Sequence, residues 1–149
     1  MGATSMSRVT LRRTGPRQFE GQDERHHTLS LDIAPEFGGE WAGLKPSELL
    51  PFSLGACIAV TAVGILEKMR QGPFDLTVDI DFEHAEEPPK AFKRFDLTWN
   101  FRGMNLDEVK LKKAIETSEQ KYCSVSASLK EDIMVRHNVR LITEAVPMG

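Results

Sequence analysis

Five stretches of the chain alternate apolar and polar side chains with a period of two: residues 8–13, 28–33, 76–82, 95–101 and 133–142. Each is rich in Val, Ile, Thr or Phe, a combination that predicts half-buried strands. The third and fourth are joined by residues 84–90, where Pro88 and Pro89 cannot donate ladder hydrogen bonds, so a long hairpin connection is expected. Two helical regions interrupt the strands. The first runs from about 48 to 70, with Ser47 as N-cap, Pro51 in the first turn and Gly72-Pro73 as the stop. From Leu49 to Leu66 no residue is charged, which brings the segment to the threshold of a membrane span. Ser53, Gly55, Thr61 and Gly64 dilute it, however, and no second such segment follows. The pattern therefore predicts a helix buried on nearly every face inside a soluble core, not a membrane anchor.

The second helical region opens at Asn105 as N-cap, with Glu108 three residues on in a capping-box position. Val109, Ala114, Ile115 and Ser118 form its apolar stripe, while Lys110, Lys112, Lys113 and Glu116 face water. A break is expected around 119–122, then a short helix over 124–130 with Cys123 at its N-terminal edge. This order of elements predicts an α+β fold with a mostly antiparallel sheet. A helix apolar on all sides needs cover on both flanks, and one small sheet cannot supply it. The expectation is a tight homodimer.

Composition narrows the picture without changing it. The 149 residues are 40% hydrophobic and 28% charged, which suits one domain over 1–149 with a loose start at 1–7. A net charge of −3 and a pI near 5.8, with no long basic run, argue against a nucleic-acid partner. The opening MGATSMSRVT lacks the apolar core of a secretory signal, so a cytoplasmic, reducing location is expected.

The two cysteines, Cys57 and Cys123, lie too far apart for a CxxC redox pair and are too few for a structural zinc site. In a reducing compartment they are either buried small hydrophobes or chemistry. Cys57 lies nearly three turns into the uncharged helix, beyond reach of the helix dipole, and would need a cation brought from elsewhere. Cys123 precedes a helix whose free N–H groups favour negative charge. His26, His27, His84 and His137 show no metal-ligand spacing, so surface or hydrogen-bonded roles are expected and not a metal site. Trp41 and Trp99 read as packing residues, although Trp41, near Gly39 and Gly43, could roof a pocket.

The run Pro46-Ser47-Glu48-Leu49-Leu50-Pro51-Phe52-Ser53-Leu54-Gly55-Ala56-Cys57-Ile58-Ala59-Val60-Thr61 resembles the P-x-E-L-L-x-x-x-L-G-A-C-x-A-x-T signature of the OsmC/Ohr family, the osmotically induced and organic-hydroperoxide-resistance proteins. Gly38-Gly39 ahead of the helix and Lys121-Tyr122-Cys123-Ser124-Val125 behind it fit the same pattern, and the resemblance covers roughly residues 8–145. It implies an intertwined homodimer in which a mostly antiparallel sheet wraps a central helix. It also implies a thiol-dependent peroxidase acting on organic or lipid hydroperoxides. By the resemblance, Cys57 is the peroxidatic thiol and Cys123 resolves it as a disulfide, which an external dithiol such as lipoyl reopens, with no metal or organic cofactor. Glu48 is the motif glutamate, which holds an arginine against the thiolate. The run Thr14-Gly15-Pro16-Arg17 resembles the family's T-G-x-R turn, which implies Arg17 as that arginine, with Arg25 as the alternative. The rival reading is a non-enzymatic dimeric module that binds an apolar ligand and leaves its thiols unused or sensing.

Overall fold

In the computed structural model, which describes residues 6–147, the chain divides into two compact units that meet in sequence between Leu50 and Pro51. The first unit is built on a three-stranded antiparallel meander of β1 (Thr10–Arg13), β2 (Phe19–Gln22) and β3 (Thr28–Leu31). The β2–β3 turn is closed by Asp23, whose carboxylate accepts the backbone N–H groups of Arg25 and His27, each at 2.9 Å. β2 is a strand that alternation did not predict, because Phe-Glu-Gly-Gln offers one large apolar residue and no β-branched one. The stretch expected as 8–13 is ordered as β1, and the proposed loose start falls largely on residues 1–5, outside the described residues.

After β3 the chain loops back around a buried carboxylate. Asp32 accepts from the N–H groups of Ile33 (2.7 Å), Ala42 (2.9 Å) and Glu40 (3.0 Å), and from the Gln18 side-chain amide (3.2 Å). Gly39 is required inside this loop, since a Cβ there would run into the carbonyl oxygen of Ile33. Leu44 then bridges Leu31 in parallel. A 3-10 turn, Pro46–Glu48, leads into α1 (Leu49–Lys68).

The second unit holds nearly all of α1 and a three-stranded sheet of β4 (Phe74–His84), β5 (Phe92–Gly103) and β6 (Met134–Thr143). β4 and β5 form the expected hairpin across the proline-containing connection. β5 and β6 pair in parallel, a departure from an otherwise antiparallel plan. A parallel pair needs a long crossover, and here α2 (Glu108–Thr117), a π-turn (Ser118–Tyr122) and α3 (Ser124–Ala127) supply it. Phe95, Leu97, Trp99 and Phe101 of the central strand alternate into the core and are almost wholly buried.

Two expectations about the helices need correction. The N-cap of α2 is Asp107, not Asn105; its carboxylate accepts from Val109 N–H at 2.9 Å and Lys110 N–H at 3.4 Å. Gln71 fixes the Asp107 N–H at 2.7 Å, and Asn105 takes a left-handed turn instead (φ 58). With the helix so phased, Val109 points to solvent (76% exposed) and Leu111 joins Ala114, Ile115 and Ser118 in the core. Helix α1 is long and apolar enough to cross a membrane by length and composition, yet its stripe of Leu54, Ile58, Ala62 and Leu66 is fully buried within protein. Gly55 lies so close to the sheet that a Cβ there would collide with Ile80 Cδ1. The opposite side is open, with Phe52 56% and Val60 76% exposed. Within the second unit one flank of α1 is packed, and the open flank is the one that the sequence reading left to a second subunit.

Candidate functional site

Both cysteines belong to the second unit and both are free thiols. Cys57 lies on α1 between Gly55 and the buried Ile58, at the margin between the packed stripe and the open face, and is half-buried. Cys123 is the N-cap of α3. It lies at the end of the π-turn and is only 3% exposed. Its backbone N–H reaches back to the Ser118 carbonyl at 2.9 Å, the wide hydrogen bond that closes the π-turn. Its sulfur accepts the Ser126 N–H at 3.2 Å.

The fold sets the two thiols near enough to influence each other's ionisation, and their environments push them in opposite directions. The Cys123 thiol holds Cys57 below the ordinary thiol range, assisted by the N–H groups of Val125 and Ser124 and by the Ser124 hydroxyl, against a smaller opposing effect of burial. Burial pushes the Cys123 thiol up, more than the Ser126 N–H offsets, and the neighbouring Cys57 raises it further. Cys57 is thus the thiol that ionises first, with Cys123 as the proton-bearing donor beside it. This modifies one expectation from the sequence: the N–H groups after Cys123 favour negative charge on both sulfurs, and at Cys123 burial outweighs them.

A second cluster stands behind the π-turn. Trp99 Nε1–H donates to His137 Nδ1 at 2.9 Å, and His137 Nε2 meets Glu119 Oε2 at 2.6 Å. An indole N–H is only a donor, so Nδ1 is the acceptor and the neutral ring carries its proton on Nε2, facing the glutamate. The other histidines have local partners: His27 beside Asp23, His26 beside Gln22, and His84 on the Lys90 carbonyl. Among the described residues no group of His, Cys, Asp or Glu has the arrangement to hold a metal ion.

The remaining predicted site residues lie in the first unit. Glu48 ends the 3-10 turn before α1, with its N–H bonded to the Lys45 carbonyl at 3.0 Å. Arg17 follows β1 in an exposed turn. Its side chain crosses the face of Gly38, which adopts a left-handed conformation (φ 94) that leaves room for it. Among the described residues Arg17 and Glu48 make no ion pair with each other. Arg25, the alternative arginine, is engaged by Asp23 at 3.1 Å. Trp41 stands 55% exposed at the rim of the Asp32 loop, whereas Trp99 is a core residue as expected. Sequence reasoning gave Ser118, Ser124, Glu119 and His137 no part in the site, although it put Ser118 on the buried stripe and Ser124 in the motif around Cys123. Of the other two only His137 gave a signal, as a polar residue on the inward face of the alternating run Val135, His137, Val139, Leu141.

Residues 37–138 match the OsmC-like protein family. The chain is 31% identical over 124 residues to Protein YhfA of Escherichia coli K12, a match covering 83% of this chain and 90% of that one. Among solved structures, a protein of Aquifex aeolicus VF5 superposes with a TM-score of 0.81 at 26% identity, covering 95% of this chain and 99% of the other. The organic hydroperoxide resistance protein OhrB of Bacillus subtilis shares the fold, with a TM-score of 0.61 at 16% identity over 93% of this chain and all of its own.

Proposed function

The chain belongs to the OsmC-like protein family, and on that premise we propose that it is a thiol-dependent peroxidase for organic hydroperoxides. The observation that carries this reading is the thiol pair, in which Cys57 is held below the ordinary thiol range by Cys123 and by the N–H groups that follow it. In the first step the Cys57 thiolate attacks a peroxide oxygen. An S–O bond forms as the O–O bond breaks, Cys57 is oxidised to the sulfenic acid, and the departing alkoxide takes up a proton to leave as the alcohol. The Cys123 thiol then gives up its proton and its sulfur attacks that of Cys57. The S–S bond forms, and hydroxide leaves with that proton as water. An external dithiol, of the lipoyl class, reopens the disulfide by exchange and becomes a disulfide itself. No metal or organic cofactor enters these steps.

We further propose that the working unit is a homodimer. The open side of α1, with Phe52 and Val60, and the apolar hollow of about 260 Å3 lined by Val9, Leu11, Leu29, Leu31 and Leu49 in the first unit are surfaces that a second copy would cover. The resemblance assigns Glu48 and Arg17 as the carboxylate and cation that support the thiolate, and Arg17→Ala then raises the pH at which Cys57 ionises. A reducing compartment such as the cytoplasm would keep both thiols free.

Consumption of cumene hydroperoxide with dihydrolipoamide as reductant tests the reading. Cys57→Ser should abolish turnover, and Cys123→Ser should stop after one equivalent with sulfenic acid or its over-oxidised products on Cys57. Peroxide oxidation found on Cys123 while Cys57 stays reduced would reverse the two roles. The second reading, a module that binds an apolar ligand, is favoured by that same hollow. It predicts a copurifying apolar ligand and no peroxide consumption.

A further inference from the structure

We infer that Ser118 is a positioning residue that holds the segment bearing Cys123 against the segment bearing Cys57, through two hydrogen bonds of its own. The inference rests on the thiol-peroxidase reading only for its use in the disulfide-forming step. Ser118 is fully buried, at the join between α2 and the π-turn. Its hydroxyl donates to the Ile58 carbonyl at 2.7 Å, one residue beyond Cys57 on α1. Its own carbonyl accepts the Cys123 N–H at 2.9 Å. One residue thus ties the backbone next to one cysteine to the backbone of the other.

The backbone geometry shows what the second bond accomplishes. Had α2 continued as an α-helix, five residues would span about 1.4 turns and would carry residue 123 well round the axis from residue 118. The i→i+5 ring of the π-turn instead brings Cys123 back over Ser118, on the side where Ser118 meets α1. Glu119, the next residue, holds the turn from behind through His137, which Trp99 anchors in turn. The turn is therefore fixed on both sides. Ser118 faces α1, and the Glu119–His137 pair faces the sheet.

A buried hydroxyl at this place has a second option, which is to bond within its own helix to a carbonyl one turn back, as Ser and Thr commonly do. Ser118 instead bonds across to α1. Replacing it by alanine would leave α2 and its apolar stripe intact, since Ala114 and Ile115 carry that packing. What alanine removes is the tie to Ile58.

The test is the equilibrium between the dithiol and the Cys57–Cys123 disulfide in glutathione redox buffer, together with the rate at which diamide closes that disulfide. Neither measurement requires a peroxide. Ser118→Ala should lower the equilibrium constant for closure about threefold to tenfold, because without the tie the dithiol form loses the juxtaposition that closure must then restore. At a pH where Cys57 is fully ionised, sulfenic acid formation at Cys57 should agree within twofold between Cys123→Ser and the double variant Cys123→Ser/Ser118→Ala. Ser118→Thr keeps the hydroxyl and should restore closure to within about threefold, and Ser118→Gly, which likewise removes the hydroxyl, serves in place of the alanine variant if that variant is insoluble. Ala114→Gly, which weakens α2 without touching the tie, should lower thermal stability and leave the equilibrium unmoved. Closure in Ser118→Ala within twofold of wild type would overturn the inference while leaving the peroxidase reading intact, as would an equal shift in Ala114→Gly. Wild-type protein that closes its disulfide with this Ser118 dependence, yet consumes no organic hydroperoxide, would overturn the peroxidase reading and keep the inference.

Discussion

Replacing Trp99 by phenylalanine should unsettle the turn that presents Cys123, and the size of the effect follows from its surroundings. The indole is completely buried on the central strand β5, and its N–H donates to His137 Nδ1 at 2.9 Å. Phenylalanine keeps the aromatic body but loses about three heavy atoms of buried apolar volume, at a cost of about 2 kcal/mol. It also leaves the His137 acceptor without its donor. That ring is about four-fifths buried (19% side-chain exposure), so water compensates in part and the cost falls near the lower end of the usual range, about 1 kcal/mol. Together these give about 3 kcal/mol, or a fall in Tm of roughly 6–12 °C for a chain of this length.

Urea unfolding at fixed protein concentration, followed by far-ultraviolet circular dichroism, measures the loss. The midpoint should move and the m-value should not. A cycle with His137→Leu separates the two contributions, because in that background the indole N–H has already lost its acceptor. A coupling of about 1–2 kcal/mol is expected. A loss in Trp99→Phe below about 1 kcal/mol, or a coupling indistinguishable from zero, would refute the reasoning that the Trp99–His137 hydrogen bond anchors the turn through Glu119.

Three further outcomes are expected. At neutral pH iodoacetamide should modify Cys57 well before Cys123, and Cys123→Ala should move the Cys57 alkylation midpoint to higher pH because it removes the leading donor to that sulfur, as a rate-against-pH profile would show. Asp32 is held below the ordinary carboxylate value by the N–H of Ala42 above all, then by those of Ile33 and Glu40 and by the Gln18 amide, so its stabilising effect is complete above the unfolded value of about 3.9 and is lost as pH falls through the lower folded value. Asp32→Asn should accordingly destabilise the protein at neutral pH, with the gap to wild type closing in acid, when urea midpoints are compared across that range. Val60→Asp, placed on the open side of α1, should leave the second unit folded but convert a dimer to monomer in multi-angle light scattering, and an unchanged mass would mean that this side is not the interface.

How far the fold was legible depended on how much information each short segment carried. The long strands β4, β5 and β6 repeat the inward-outward alternation often enough to be read directly, and their bounds fall within a few residues of expectation. β2 has four residues, one of them glycine, and its pairing with β1 and β3 depends on neighbours that no local pattern can report. The α2 start shows the same limit. Asn105 and Asp107 are both good caps, and only the Gln71 side chain, far away in sequence, decides between them by fixing the Asp107 N–H. The parallel pairing of β5 with β6 was hidden for a related reason, since alternation fixes which face a residue takes and says nothing about strand direction.

The site divides along the same line between what residue identity carries and what only placement can supply. Cys57 and Cys123 stand out by identity, as the only two cysteines in a chain of 149 residues, each in a recognisable motif. Which of them ionises first does not follow from identity. Read in isolation, Cys123 was the better candidate, because N–H groups without intrahelical partners follow it. In the folded chain the Ser124 and Val125 N–H groups serve the other sulfur as well, burial at Cys123 outweighs the Ser126 N–H, and the Cys123 thiol holds Cys57 down. The reversal comes from tertiary placement: burial raises the thiol that caps the helix, while the N–H groups beside it are shared with the less buried sulfur of Cys57. The sequence motif around Cys57 therefore supplies a sulfur on a closely packed helix, and the crossover from α2 to α3 supplies the charge environment that sulfur needs. In that division of labour Ser118 is the residue shared by both segments, which is why the redox equilibrium of the pair, more than the reactivity of either thiol alone, is the property on which this account depends.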